Sequence, residues 1–215
     1  MNQVVADKYN IAWFKLADCV ARGEKERALG VFRLLSHSFD DPALARQLHG
    51  DLLLSFRDER AQEKYEEAAL LYEDDNRLLE AAAVYEHLVS LKPEYILYRE
   101  KLIQLYQLLS ITSKVQEYVG NFVEHLLGND DWNKAIEVVK EYDTAGDAEF
   151  AAQLHEKLVF TLLSIKEALA DTIIFHAKRV IESWQNAQNE RALNEFMRKL
   201  QAADEKLYAQ VARLN

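Results

Sequence analysis

Glycine and proline are scarce in this chain, six and two in 215 residues. A β-rich chain of this length turns often, and its turns draw on those residues. Their shortage therefore excludes most all-β architectures and points to long helices joined briefly. Cysteine is nearly absent. The single Cys19 rules out an internal disulfide and a thiolate-rich zinc site. It lies among apolar residues of the first predicted helix, where a small buried hydrophobe is expected. No run approaches the ~20 apolar residues that a membrane helix needs. The first residues, Met1 to Asp7, lack a basic segment followed by an apolar one, so a cytoplasmic chain with no membrane insertion is expected. Positive charge is also in deficit, 26 basic against 36 acidic side chains for a net charge of −10. That balance disfavours nucleic acid and anionic lipid as partners, because both are held by Lys and Arg. What remains is 49% apolar and 29% charged, the composition of a folded chain rather than a disordered one.

The apolar residues recur at three and four. Tyr98, Leu102, Leu105, Tyr106 and Leu109 form one stripe, and Val115, Val119, Phe122, Val123 and Leu126 the next. Breaks fall between such stripes, and both prolines sit at breaks, where a missing N–H does no harm. Asp41 before Pro42 reads as an N-cap followed by proline at the first helical position. Ser113 with Gln116, and Ser164 with Glu167, have the spacing of capping boxes. Together these signals predict about eleven helices, near 2–21, 24–38, 42–57, 60–74, 77–91, 94–109, 112–127, 130–143, 147–163, 166–184 and 187–213. Helix starts recur about every 17 residues, so two helices make a unit of about 34, the length of a tetratricopeptide hairpin.

Particular residues carry that resemblance. In segment 62–95, Tyr65, Ala68, Ala69, Tyr72, Ala81, Tyr85, Leu88 and Pro93 follow the family spacing W-x2-L-G-x2-Y, then A-x3-F, then P. Small residues at Ala69 and Ala81 let two helices approach closely while the tyrosines fill the surrounding space. Segments 96–129 and 132–165 keep the apolar pattern in degenerate form, with Ile103 in place of a small residue in the first of them. The chain thus resembles a tetratricopeptide-repeat protein. The resemblance implies an all-α fold, a right-handed α-solenoid of antiparallel helical hairpins spanning 1–215 as one domain. Residues 1–23 would form an N-terminal helix and 187–215 a solvated C-terminal capping helix. The phase stays open: Gly23, Ala28, Phe32 and Leu35 resemble the second half of a unit, whereas the better match makes 60–74 a first helix. Each hairpin buries its apolar face only by stacking on neighbours, whichever phase holds.

Chemistry-bearing motifs are missing. There is no Gly-rich phosphate loop, no nucleophile elbow and no paired-histidine zinc motif; His155-Glu156 begins one but lacks the second histidine. The six histidines are isolated along the chain, and none has metal-ligand spacing. The expectation is a non-enzymatic chain with no catalytic residue, no cofactor and no metal. With 60–74 as a first helix, its groove side carries Glu63, Glu66, Leu70, Glu73 and Asp74. The next such helix offers Leu97, Glu100, Gln104 and Gln107, and a third offers Lys140. In similar repeat proteins that surface grips a peptide, which implies an adaptor or scaffold that recognises a protein segment. A carboxylate-rich groove favours basic segments. The Lys/Asn/Arg clamp that relatives use for chaperone tails is replaced here by Glu66, Leu70, Glu100 and Gln104. The alternative is a permanent subunit of a coat, secretion or transport assembly. Trp13-Phe14 is a second candidate surface: neighbours on a helix point ~100° apart, so either one of them is an exposed contact anchor or both are absorbed by a wide interface with helix 24–38.

Overall fold

The computed structural model describes residues 3–144, 146–165 and 170–213, with side chains from Ile11 onward. Twelve α-helices and no strands occur among them. Backbone contacts group the chain into two compact units, Met1–Leu109 and Ser110–Asn215. The first holds α1 (Gln3–Ala21), α2 (Lys25–Ser36), α3 (Pro42–Ser55), α4 (Ala61–Asp74), α5 (Leu78–Leu91) and α6 (Ile96–Leu108). The second holds α7 (Thr112–Gly128), α8 (Trp132–Tyr142), α9 (Ala148–Ser164), α10 (Ala170–Asn186), α11 (Glu190–Ala203) and α12 (Glu205–Ala212). Within each unit, helices that follow one another in sequence pack side by side.

The motif of segment 62–95 is the heart of the first unit. Ala69 and Ala81 are fully buried where α4 meets α5, with Ala68, Tyr65, Tyr72, Tyr85 and Leu88 buried around them. A longer side chain at either alanine would force the helices apart, which is why the spacing tolerates only small residues there. At the start of the unit, Leu16 and Cys19 of α1 pack with Ala28, Phe32 and Leu35 of α2 and Leu52 of α3. Cys19 is thus a buried hydrophobe.

The helix ends explain how a glycine-poor chain turns so often. Arg57, Asn76, Ser110, Asp130 and Gln188 adopt positive φ between 53° and 60°, as does Gly23 at 71°. At five of these six positions the next residue's N–H reaches back across the left-handed residue to a carbonyl near the helix end: Glu24 to Cys19, Asp58 to Leu53, Arg77 to Tyr72, Asp131 to Leu126 and Asn189 to Trp184. This is the Schellman arrangement, which satisfies carbonyls otherwise orphaned at the terminus. Glycine fills the left-handed position only at Gly23.

Asp41 caps α3 as its sequence suggests, accepting from the Leu44 N–H at 3.0 Å with Pro42 next in line. The Ser113 capping box does not form. Helix α7 starts after Ile111, which places Ser113 inside the first turn. Ser164 ends α9 instead of starting a helix, its hydroxyl donating to the Thr161 carbonyl at 2.6 Å, and Glu167 lies outside the described residues. The expected single helix over 187–213 is two. Asp204, in extended conformation, closes α11 and accepts from the N–H groups of Lys206 and Leu207, both at 2.9 Å. A side chain that can cap in mid-segment competes with helix continuation, and here it wins.

A candidate protein-binding face on the first unit

In the first unit α4 shares a cavity with α2 and side-chain bonds with α6. The Gln62 amide donates to the Tyr98 hydroxyl at 2.7 Å and to Glu66 at 3.0 Å. The Tyr98 hydroxyl in turn donates to Glu66. Further along α4, Glu73 accepts from the Tyr85 hydroxyl at 2.9 Å and pairs with Lys101 at 3.1 Å. Burial, together with these carboxylates, pushes the Tyr85 and Tyr98 hydroxyls well above the ordinary phenol range.

The sequence-predicted residues therefore divide. Glu66 and Glu73 are half-buried and engaged in internal bonds to tyrosines, so they form the wall of the seam between α4 and α6. Glu63 and Asp74 are exposed, with Glu63 in an ion pair to Lys64 at 3.2 Å. Leu70 on α4 is 52% exposed and Leu97 on α6 is 67% exposed. Glu100 is half-buried, while Gln104 and Gln107 are exposed on α6. Lys140 belongs to the second unit, on α8, where its ammonium lies 5.7 Å from the Phe175 ring centroid. Nine of the ten thus lie on α4 and α6, with Glu66 and Glu73 turned to internal bonds.

On the other side of α4 lies a feature that sequence reading missed. A cavity of about 360 Å³ opens between α2 and α4 above α3. Leu29, Phe32 and Leu53 contribute its apolar surface, and Arg33, Arg46, Arg60 and Lys64 bring four cations to its walls. No carboxylate lines it. Glu67 pairs with Arg46 at 3.0 Å and with Lys64 at 2.5 Å, and Asp58 pairs with Arg60 at 2.6 Å, which holds these cations in place. His49 stacks near Phe32 at 5.1 Å between centroids. Burial and the adjacent Lys64 and Arg46 charges push its imidazole below the ordinary range. The only sequence signal is Arg60 and Lys64 at i,i+4; Arg33 and Arg46 join them through tertiary packing alone.

Two further features involve other residues. On α1, Phe14 is 77% exposed and Ile11 65%, while Trp13, 38% exposed, stacks on Phe39 at 6.0 Å. The adjacent aromatics thus point to different surroundings, as their helical spacing requires. Beside Trp13, an open and almost wholly apolar groove of about 430 Å³ runs between α1 and α3, with Leu16, Val20, Leu48 and Leu52 in its walls. In the second unit, two of the histidines that look isolated in sequence meet: Nδ1 of His155 on α9 and Nδ1 of His176 on α10 are 2.7 Å apart. Both rings are fully buried. One nitrogen must donate and the other accept, so the pair shares one proton, and burial favours the neutral form of both rings. Burial, the largest influence, pushes both imidazoles far below their ordinary range, opposed at His155 by Asp143. Asp143 lies 3.8 Å from Nε2 of His155, on the side away from the shared proton, and is itself held by Arg179 at 2.7 Å. It cannot join the two Nδ1 atoms around a common ion. No group of three His, Cys, Asp or Glu among the described residues could hold a metal, and no described helix is long and apolar enough to cross a membrane.

No family model matches the chain, and no curated protein matches it. Solved structures do align with it. The nearly identical TPR-like repeats of a Podosopora anserina kinesin light chain align at 13% identity over 96% of this chain and 98% of that one, with a TM-score of 0.40. A point variant of the same repeats gives 13% identity, coverage of 94% and 95%, and a TM-score of 0.40. BtubC (BKLC) from P. vanneervenii aligns at 14% identity over 98% and 93% of the two chains, with a TM-score of 0.35. Alignments at this level leave the function of this chain to be read from its own residues.

Proposed function

We propose that this chain is a protein-binding module, an adaptor or scaffold that holds a segment of a partner protein on the α2–α4–α6 face and catalyses no reaction. The observation that carries the reading is the exposure of Leu70 and Leu97 beside a seam whose polar groups satisfy one another. Large apolar side chains left in water next to a fixed polar framework gain free energy when a partner covers them. The strongly perturbed histidines and tyrosines fit packing better than catalysis: the two buried histidines are closed to any substrate, and the raised tyrosines are donors in structural bonds. Glu63, Glu66, Glu73 and Asp74 would still lend the seam a negative potential toward a basic stretch of the segment. Because Glu66 and Glu73 also hold tyrosines, substituting them would alter the fold, and the exposed leucines make the cleaner test.

Affinity purification from the source cell with wild type beside a Leu70→Asp/Leu97→Asp double variant should recover a protein that the variant loses. Equal melting behaviour of the two forms establishes that the face, not the fold, has changed. A partner retained by both forms refutes the groove. If it is also stoichiometric and resists high salt, the alternative holds: a permanent assembly subunit. The specific observation favouring that alternative is the apolar edge of Ile11, Phe14 and the groove beside Trp13.

A further inference from the structure

The cavity between α2 and α4 combines an apolar floor with four cations, in a chain whose net charge is −10. Arg46 contacts Glu67 through Nε, and Arg60 contacts Asp58 through Nε and Nη2, so neither guanidinium exhausts its five donors. Arg33 is exposed and forms no ion pair or side-chain hydrogen bond with the described residues. A space of about 360 Å³ lies at the small end of ligand pockets and has room for one or two side chains.

We infer that this notch takes an acidic side chain together with an adjoining large apolar side chain of the partner segment. The inference rests on the protein-binding reading above and names the chemistry of what is bound. The apolar side chain sits against Leu29, Phe32 and Leu53, and the carboxylate meets Arg33 and the free donors of Arg46 and Arg60. Guanidinium recognises a carboxylate by paired N–H donors, and it does so more strongly beside an apolar floor that excludes water. The two requirements act together: a purely apolar segment leaves the cations unanswered, and a purely acidic one leaves the floor wet. Lys64 and Arg46 remain clamped by Glu67, so the cations are positioned before binding and little ordering cost is added.

The test uses the full chain and three labelled octapeptides in fluorescence anisotropy: alternating Glu and Leu, alternating Gln and Leu, and alternating Glu and Ser. Binding is expected for the Glu/Leu peptide, at least tenfold weaker for the other two, and weakening with added salt. Arg33→Glu should weaken Glu/Leu binding at least tenfold. The Arg33 side chain has no partner among the described residues, so the variant should stay folded, melting at most slightly below wild type because a carboxylate replaces a cation in the last turn of α2. Equal binding of the Glu/Leu and Gln/Leu peptides, indifference to Arg33→Glu, or no binding at all overturns the inference. If the partner from the cell is still lost in the Leu70/Leu97 variant, that failure concerns the notch alone. A partner indifferent to Leu70, Leu97 and Arg33 together overturns the protein-binding face as well.

Discussion

Gly50 and Gly30 are both helical, yet the same substitution should move stability in opposite directions. In the interior of a helix, alanine is worth about 1 kcal/mol over glycine, because it gives up less backbone freedom on folding. At Gly30 on α2 an added Cβ meets nothing within 4 Å, so Gly30→Ala should collect that gain and stabilise by up to ~1 kcal/mol. At Gly50 on α3 the added Cβ would lie 2.9 Å from Cε1 of Tyr65 and 3.0 Å from Cδ1 and Cζ. The ring cannot swing aside cheaply. Its hydroxyl donates to Asp51 at 2.6 Å, its face meets His87 at 4.7 Å in an edge arrangement, and it is 1% exposed. Relief requires moving α4 from α3 or giving up the phenol bond, an overpacking cost of about 1–3 kcal/mol with a hydrogen bond of about 1 kcal/mol at stake. Gly50→Ala should therefore destabilise by ~1–2 kcal/mol net, placing the two variants ~2–3 kcal/mol apart. Urea unfolding followed by far-ultraviolet circular dichroism reads the difference as midpoints displaced to opposite sides of wild type. Both glycines lie in the first unit, so one cooperative transition reports on both. If Gly50→Ala raises the midpoint as Gly30→Ala does, the close approach of α3 to Tyr65 is wrong.

Ala81→Leu should destabilise by ~1–3 kcal/mol through overpacking of the α4–α5 contact, and an unchanged urea midpoint would refute the placement of that contact. The buried histidine pair makes stability dependent on acid. Because the folded-state values of His155 and His176 lie far below the ordinary 6.5, the unfolded chain binds more protons. The contribution is complete above pH 6.5 and is lost progressively as pH falls below it. Lys140, Asp143, Arg179 and Glu182 face the pair and modulate the same window. Ring signals of these two histidines in nuclear magnetic resonance should stay constant from about pH 8 to about pH 5, and midpoints near 6.5 would contradict their neutral burial. Cys19, 2% exposed, should react with thiol reagents only slowly until denaturant is added, and rapid labelling of the native chain would contradict its position between α1 and α2.

The fold was legible because helix periodicity and the small residues at Ala69 and Ala81 are local signals that packing then reinforces. Asp41-Pro42 was legible for the same reason. The break at Asp204 was not, since an aspartate inside an amphipathic stretch can face solvent or cap a new helix, and only its neighbours decide. Turns built on Arg57, Asn76 and Gln188 are equally silent, because left-handed residues that are not glycine have no strong compositional mark. At the candidate face, helical spacing placed Leu70 and Leu97 in water. It could not tell that Glu66 and Glu73 would be taken up by Tyr98 and Tyr85, partners 32 and 12 residues away. The cationic notch needs α2, α3 and α4 together, and no window along the chain contains that information.

The tyrosines of the first unit have a mechanical consequence. Tyr65 donates to Asp51, Tyr72 to Gln47, Tyr85 to Glu73, Tyr98 to Glu66 and Tyr106 to Glu86, each to a side chain of another helix. An apolar seam is permissive: one helix can slide a turn, ~5.4 Å, past another and still find grease to rest against. A phenol is not, because displacement strands its O–H without an acceptor at a cost of ~1–3 kcal/mol. Five such pins running from α3 through α6 convert a stack that could shear into a ratchet with a single tooth engaged. Any partner that docks along the unit meets a ruler of set length rather than a spring.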